Sequence, residues 1–191
     1  MLVAITGATG FIGRHLAELH LRRGDRVRIL TRALAPRDAP AGVETIVGDI
    51  TVADGRLREF SAGADVLYHC AAELGDERLM QAVNVDGTRN LVAAARGAVG
   101  RWIQVSSVAV YGQGLNGMVT EVSPPAPLSI YGRTKREAED IVHAAAAGGA
   151  FACCTVRPSN VFGNDMPNRS LSQLIAMIDK GLFLFIGKPG A

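Results

Sequence analysis

The chain has 191 residues, 48% of them hydrophobic and 20% charged, a composition typical of a globular domain with one sizeable core and not of a disordered segment. Its 20 basic and 18 acidic residues leave a net charge of +2 without a dense cationic run, which argues against nucleic acid or a membrane surface as a partner. There is also no 18-residue apolar span and no cleavable signal at the start, so we expect a cytoplasmic protein.

The first stretch, LVAITGATGFIGRHL at residues 2–16, predicts a buried strand that turns sharply into a helix. Gly7, Gly10 and Gly13 separate the two. Glycines at this spacing suit a tight turn, a close approach of phosphate to the backbone, and close packing of helix on strand, with the helix N-terminus directed at the anion. The alternative is an ordinary glycine-rich connection. A phosphate loop of the Lys-Ser/Thr type is excluded, because no such pair follows the glycines.

Strand and helix patterns alternate along the rest of the chain. Nearly continuous apolar runs, typical of strands covered on both faces, occur at 26–32, 43–49, 65–72, 101–112 and 151–158. Helical patterns occur at 11–23, 51–61 (weaker), 78–96, 129–147 and 170–181, with a proline-rich loop at 123–129 and a strand start at 182–187. The alternation predicts an α/β fold with a doubly wound, mostly parallel sheet, helices on both faces, and ligands beyond the carboxyl ends of the strands.

The three cysteines do not form a disulfide framework. Cys70 stands alone, whereas Cys153 and Cys154 are neighbours that would face opposite sides of a strand. We interpret all three as buried thiols. His69 beside Cys70 has no second ligand cluster to complete a metal site, so no metal is expected.

A second group of candidate residues surrounds the predicted helix 129–147. Tyr131 and Lys135 are four residues apart and share one helix face. An ammonium close to a phenol lowers the pKa of the phenol, which suits a tyrosine to general acid–base chemistry nearer neutral pH. Ser106 and Ser107 follow a predicted strand, and a hydroxyl there could hold a substrate oxygen. The alternative is an exposed tyrosine, a solvated lysine and two strand-end serines.

Six motifs occur in the order seen in the extended short-chain dehydrogenase/reductases, a group that includes nucleotide-sugar epimerases and dehydratases. They are TGATGFIG (6–13), HCAA (69–72), NVDGTRNLVAAA (84–95), VSSVAVYG (105–112), YGRTK (131–135) and VRPSNVFG (156–163). The chain resembles this family over nearly its whole length. The resemblance implies a Rossmann fold that binds NAD or NADP and an enzyme that transfers hydride to or from a small-molecule substrate.

The resemblance also implies roles for individual residues. Tyr131 resembles the catalytic acid/base and Lys135 the lysine that tunes it, while Asn84 is similar to the site-organising asparagine, Ser107 to the substrate-orienting serine and Asn160 to a residue on the substrate side. The implied cofactor contacts are Gly7, Ala8, Thr9, Gly10, Phe11, Ile12 and Gly13 in the pyrophosphate turn, Asp49 and Ile50 beside the adenine, Ala71 and Ala72 on the path toward the nicotinamide ribose, Lys135 at that ribose, and Tyr131 and Pro158. Singly, Asp49 could equally be a turn former and Asn84 a capping or interior polar residue.

Two departures from the family pattern matter. Thr31 and Arg32 stand where NAD-preferring members carry an acid, and a guanidinium suits a 2′-phosphate, so NADP is favoured over NAD. The alternative is a surface arginine near Arg37. The family usually continues into a substrate lobe, so we expect residues 1–191 to form the dinucleotide-binding domain, with 159–191 the start of a truncated substrate-binding part. Exposed apolar surface and self-association, as a homodimer or otherwise, are then expected.

Three functions follow from these observations. The leading hypothesis is an epimerase or dehydratase that acts on a nucleotide-sugar-like substrate by hydride transfer and proton transfer through Tyr131. An NADPH-dependent carbonyl reductase of the same family is the first alternative, which Arg32 favours. The second alternative is an NAD(P)-binding module without turnover.

Overall fold

The computed structural model describes residues 1–33, 39–112, 118–163 and 170–182. Its strands are β1 (Leu2–Thr6), β2 (Arg26–Thr31), β3 (Glu44–Val47), β4 (Ala64–His69), β5 (Val99–Val105) and β6 (Ala152–Val156). Its helices are α1 (Phe11–Arg22), α2 (Gly55–Ser61), α3 (Glu77–Met80), α4 (Gly87–Ala95), α5 (Ile130–Ala147) and α6 (Ser170–Asp179), with a π-helical turn at Gln81–Asp86 and a 3₁₀ turn at Val108–Tyr111.

The six strands form one parallel sheet in the order β3-β2-β1-β4-β5-β6. The chain winds outward from β1 in both directions, so the strand order reverses between β1 and β4. Thr6 of β1 pairs with His69 of β4, and His69 pairs with Gln104 of β5, which aligns the carboxyl ends of the central strands along one edge. The predicted doubly wound parallel sheet is confirmed.

Helices cover both faces of this sheet, as predicted. Alternate residues of β1 enter different buried clusters, Val3 and Ile5 on one face and Ala4 on the other. The first face packs on α1 through Ala17. The second face packs on α2, α4 and α5, and its core residues include Leu57, Phe60, Leu91, Val92, Trp102, Val142 and Ala145.

Two predicted elements differ from the observed ones. The apolar run 101–112 ends as a strand at Val105, because the Ser107 hydroxyl accepts a hydrogen bond from Ala109 N at 3.1 Å and starts the 3₁₀ turn. The predicted helix 78–96 begins at Glu77 and contains the π-helical turn, which inserts an extra residue where Asn84 makes its contacts. The proline-rich stretch 123–129 is a loop, as expected.

The interpretation of all three cysteines as buried is wrong. Cys154 is exposed, and Cys70 and Cys153 are only partly buried. Cys153 packs on the α5 side of the sheet, so Cys154 faces the other side. On that second side, the buried cluster contains residues of α1, β1, β2 and β4 but none of β6. The β6 side chains that face this side are therefore exposed.

The chain divides into two compact units, Met1–Ser159 and Asn160–Ala191. The first contains the sheet, and the described part of the second contains α6, whose apolar residues such as Ile175 and Ile178 are exposed. Arg37 and most of the predicted strand start at 182–187 lie outside the described residues. Within the described part of the chain, no helix combines the length and the apolar character needed to cross a membrane, and no group of three or more His, Cys, Asp or Glu residues is arranged to hold a metal.

Candidate active site

The glycine-rich turn connects β1 to α1 at the carboxyl edge of the sheet. Gly7 has φ +66°, a conformation that other residues rarely adopt, and a Cβ there would lie 2.7 Å from Ala71 N. A Cβ on Gly13 would overlap Gly7 O. Two of the three predicted glycine roles therefore have a direct physical cause, a tight turn and the close packing of helix on strand.

The first turn of α1 is suited to an anion. Its N-cap is Gly10, which has no side chain to cap the helix, and the first turn carries no acidic residue. The turn residues Thr9 and Gly10 are exposed, while Phe11 and Ile12 are half-buried. The N–H groups of this first turn, which no side chain of the described residues caps, lie beside a cradle that a Cβ would fill and fit a dinucleotide pyrophosphate.

The segment after β4 forms the wall beside this turn. Ala71 N donates to the Thr6 hydroxyl at 3.2 Å, and Cys70 N donates to Thr6 O at 3.3 Å. Ala71 and Ala72 are half-buried next to the turn, where the predicted path toward the nicotinamide would run. The buried Ala8 completes the inner side of the turn.

Asn84 links three parts of the site from the π-helical turn. Its Oδ1 accepts from Glu73 N at 2.7 Å, and its Nδ2 donates to Glu73 O and to Thr134 Oγ1, each at 3.1 Å. Thr134 precedes Lys135 on α5, and Asn84 is 2% exposed. This buried amide therefore holds the loop after β4 against the helix that carries the predicted acid/base.

Ser107 and Tyr131 are brought together although 24 positions separate them in the sequence. Burial raises the pKa of Tyr131, and a side-chain hydrogen bond with Ser107 opposes that shift. Lys135 is not among the groups that set the pKa of Tyr131. The role of Lys135 in tuning this pKa stays a prediction, since in this arrangement Tyr131 is a neutral phenol near pH 7 whose pKa Lys135 does not lower.

The reason lies in the position of the Lys135 ammonium. Nζ donates to Val105 O at 2.6 Å, at the end of β5, and the side chain is buried. Burial lowers the pKa of Lys135 to about 8, opposed by the nearby Cys70 and Glu139. Burial likewise raises the pKa of the Cys70 thiol to about 12, so this thiol is protonated at neutral pH.

A cluster that the sequence analysis did not identify fixes the segment bearing Ser107. Glu139, fully buried on α5, forms a two-pronged ion pair with Arg157 at 2.9 and 2.7 Å. Arg157 also donates to the Tyr111 hydroxyl at 2.6 Å and lies over its ring. Pro158, the next residue, accepts from Val108 N at 3.1 Å. The four-residue spacing of Tyr131, Lys135 and Glu139 on one helix face was the available signal.

The structure gives less direct support to the predicted roles of four other residues, Arg32, Asp49, Ile50 and Asn160. Arg32 is exposed just after β2, and Asp49 uses Oδ1 to accept from both the amide and the hydroxyl of Thr51, which is the turn-forming alternative. The Ile50 side chain lies in the core against α4, which does not itself support an adenine contact. Asn160 belongs to the second unit, and its substrate role stays a prediction.

Comparison with known proteins identifies both reductases and sugar-nucleotide enzymes as relatives. The chain is 35% identical over 97% of its length to a 4-hydroxy-2-methyl-3-oxo-4-farnesyl-3,4-dihydroquinoline-1-oxide ketoreductase of Stigmatella aurantiaca, and covers 58% of that protein. It is 36% identical over 92% of its length to a ceramide reductase of Caulobacter vibrioides, covering 51% of it. The chain thus spans about half the length of the curated relatives it matches.

Among solved structures, a UDP-glucuronic acid 4-epimerase from Bacillus cereus in complex with NAD matches with a TM-score of 0.79 at 28% identity, over 95% of this chain and 63% of that one. The sequence model of the NAD dependent epimerase/dehydratase family matches residues 3–188. Since that match extends over almost all of the 191 residues, the chain belongs to the NAD dependent epimerase/dehydratase family.

Proposed function

We propose that the chain binds NAD or NADP along the carboxyl edge of its sheet and uses Tyr131 as the acid/base of a hydride-transfer reaction. The observation that carries the proposal is the assembly of Ser107, Tyr131 and Lys135 beside an uncapped glycine turn. The bound dinucleotide would supply a hydride donor or acceptor. Gly7, Gly10 and the first turn of α1 would hold its pyrophosphate, and Lys135 its nicotinamide ribose.

The protein's own groups would manage the proton. Because burial keeps Tyr131 protonated, its phenol can donate a proton to a carbonyl oxygen that gains negative charge as hydride arrives at the carbon. In the oxidative direction Tyr131 would first have to release its own proton, and the phenolate would then accept the proton of the substrate hydroxyl. Ser107 would orient the same oxygen, and the ion pair of Glu139 with Arg157 would keep the Ser107 segment in place.

Two substrate classes are proposed for this chemistry. A nucleotide sugar is supported by the motifs AVYG and SNVFG and by the likeness to the Bacillus cereus epimerase. An apolar ketone or secondary alcohol is the second class, and a cavity of about 340 Å³ lined by Ala109, Gly112, Leu128 and Ser129 is open to either class. Both reductase relatives favour the second class.

The substrate classes differ in what happens to the cofactor. With UDP-glucuronic acid, an epimerase returns the hydride in the same cycle and leaves no net change in cofactor absorbance. With an apolar ketone such as a 3-ketosteroid, a reductase oxidises one NADPH for each product molecule. Cofactor binding without turnover on either substrate would favour the binding-module alternative.

The role of Tyr131 is tested by Tyr131→Phe in an active form of the protein. We expect kcat to fall by about 10²-fold or more, since the proton donor is lost, while the Kd for cofactor changes less than about twofold. Tyr68→Phe is the matched control, because Tyr68 contacts His20 on the α1 side of the sheet. Activity retained by Tyr131→Phe would remove Tyr131 from the proposed role.

A further inference from the structure

A buried series of hydrogen bonds begins at the glycine turn and crosses the sheet edge. Ala71 N donates to Thr6 Oγ1 at 3.2 Å, and Thr6 Oγ1 lies 2.7 Å from His69 Nδ1. On the other side of the ring, His69 Nε2 lies 3.0 Å from Thr88 Oγ1, which donates to Asn84 O at 2.6 Å. Thr6, His69, Thr88 and Asn84 are each at most 2% exposed.

The partners fix the direction of every bond in this series. A backbone carbonyl only accepts, so the Thr88 hydroxyl hydrogen is committed to Asn84 O and the Thr88 oxygen must accept from Nε2–H. Burial, reinforced by the charge of Lys135, lowers the pKa of His69 to about 3 and keeps the ring neutral. Nδ1 then has a lone pair, and the Thr6 hydroxyl donates to it.

The series continues into the catalytic helix. Asn84 Nδ2 donates to Thr134 Oγ1 at 3.1 Å, and Thr134 Oγ1 donates to Tyr131 O at 3.0 Å. The Asn84 side chain also accepts a hydrogen bond from Glu73 N and donates one to Glu73 O. The first turn of α5 is thereby connected, through buried side chains and the backbone carbonyl of Asn84, to the hydroxyl that accepts from Ala71 N beside Gly7.

We propose that His69 is a positioning residue that holds the cofactor turn and the catalytic helix in register through its two ring nitrogens, in a single Nε2–H tautomer. The proposal rests on the proposed function, since that function names the turn and the helix. The competing explanation is that His69 only fills space, for its ring packs edge-on against Trp102 at 5.5 Å. Space filling needs the shape of the ring, whereas positioning needs an acceptor at Nδ1 and a donor at Nε2.

The first measurement needs no variant. Nitrogen-15 spectra of the histidine rings at pH 7 report which nitrogen carries the proton. We expect His69 to show protonated Nε2 and bare Nδ1. Protonated Nδ1 would overturn the proposal, because the Thr6 and Thr88 bonds could not then both exist as described.

Two variants of His69 each remove one of its two ring hydrogen bonds and keep the other. His69→Asn places an acceptor near the Nδ1 position and removes the donor to Thr88, whereas His69→Gln keeps a donor near Nε2 and removes the acceptor for Thr6. We expect His69→Gln to weaken NAD(P)H binding by about three- to tenfold, and His69→Asn to leave binding within about twofold while lowering kcat by a similar three- to tenfold factor. His143→Gln is the control, since His143 is exposed and hydrogen-bonds to Thr155 at a distance from the series.

Amide hydrogen exchange gives a readout that needs neither binding nor turnover. We expect faster exchange at residues 70–73 in His69→Gln and at 130–135 in His69→Asn, with β6 unchanged in both. Identical effects of the two variants on exchange and on cofactor Kd would overturn the positioning role and leave space filling. If the wild-type chain bound no dinucleotide while the two variants still differed in exchange as expected, the positioning role of His69 would stand. That result would contradict the proposed function alone.

Discussion

At the level of single residues, the buried ammonium of Lys135 has the clearest consequence for stability. Burial lowers its pKa from 10.5 to about 8. Between these values the unfolded chain holds a proton that the folded chain has lost, so folding becomes more favourable as the pH rises through this window. Below pH 8 both states are protonated and the full penalty of the buried charge remains.

Lys135→Met removes this titration while keeping the length of the side chain. We expect the free energy of unfolding of the wild type to rise relative to Lys135→Met by up to about 1.4 kcal/mol per pH unit between pH 8 and 10.5. Urea unfolding at half-unit steps measures the difference. Cys70, whose pKa is raised to about 12, acts in the opposite sense above pH 9 in both proteins. A difference that does not change with pH would contradict the burial of a charged Lys135.

Arg32 is the residue on which cofactor preference depends. It is exposed after β2, and no hydrogen bond or ion pair holds it among the described residues. We expect Arg32→Ala to weaken NADPH binding by about tenfold and to leave NADH binding within about twofold, because only NADPH carries the 2′-phosphate. Calorimetric titration measures both. Arg26→Ala, at the opposite end of the same strand, is the control, and an equal loss for both cofactors would count against a phosphate contact.

Residue spacing predicted the pairing of Tyr131 with Lys135 on one helix face but not the direction in which the ammonium points. The acceptor that takes it, Val105 O, lies 30 positions earlier in the sequence at the end of another strand. Asn84 and Ser107 could be identified through motif resemblance, whereas the pairing of Glu139 with Arg157 depends on β6 ending beside α5. Side-chain partners across elements require the assembled fold.

At the level of elements, every strand and most helices were predictable, because apolar runs with covered faces differ from helical periodicity. The residues at which strands and helices end were less predictable. Val108, Val110 and Tyr111 continue the apolar run of β5, yet the serine cap at Ser107 ends the strand. The π-helical turn at Gln81–Asp86 was likewise not predicted from the helical pattern at 78–96.

A buried arginine connects three elements and provides a test at this scale. Arg28 on β2 donates to Glu59 O, Phe60 O and Ala62 O at the end of α2, and to Glu44 on β3 at 2.9 Å. We expect Arg28→Met to lower the free energy of unfolding by about 2–3 kcal/mol, since helix-end carbonyls lose their donor.

Arg26→Met is the matched control for Arg28. The Arg26 guanidinium lies 3.7 Å from the same Glu44 carboxylate, but its side chain is 76% exposed. Exposed pairs of this kind are worth about 0–1 kcal/mol, so this variant should unfold close to wild type. Equal losses in the two variants would mean that Glu44, and not the end of α2, explains the effect of Arg28.

At the level of the whole molecule, the candidate cofactor contacts all fall within Met1–Ser159. The sheet edge, the glycine turn and α5 are contained in that unit, so we expect this 191-residue chain to bind NADH or NADPH by itself, although it spans about half the length of its curated relatives. Binding should raise the unfolding temperature roughly with the logarithm of cofactor concentration once that concentration exceeds the Kd, since ligand binds the folded state.

Two glycine variants distinguish binding in the turn from a general loss of stability. Gly7 and Gly63 have nearly the same φ, +66° and +67°, but a Cβ on Gly7 would lie 2.7 Å from Ala71 N while one on Gly63 meets nothing within 4 Å. Both Ala variants should lose about 1–3 kcal/mol of stability through backbone strain. Only Gly7→Ala should lose cofactor affinity, by about tenfold or more in calorimetry, because the added carbon displaces the wall of the turn. If Gly63→Ala weakened binding equally, strain and not the turn would explain the loss. If the unaltered chain bound neither dinucleotide, the proposed cofactor site within Met1–Ser159 would be contradicted.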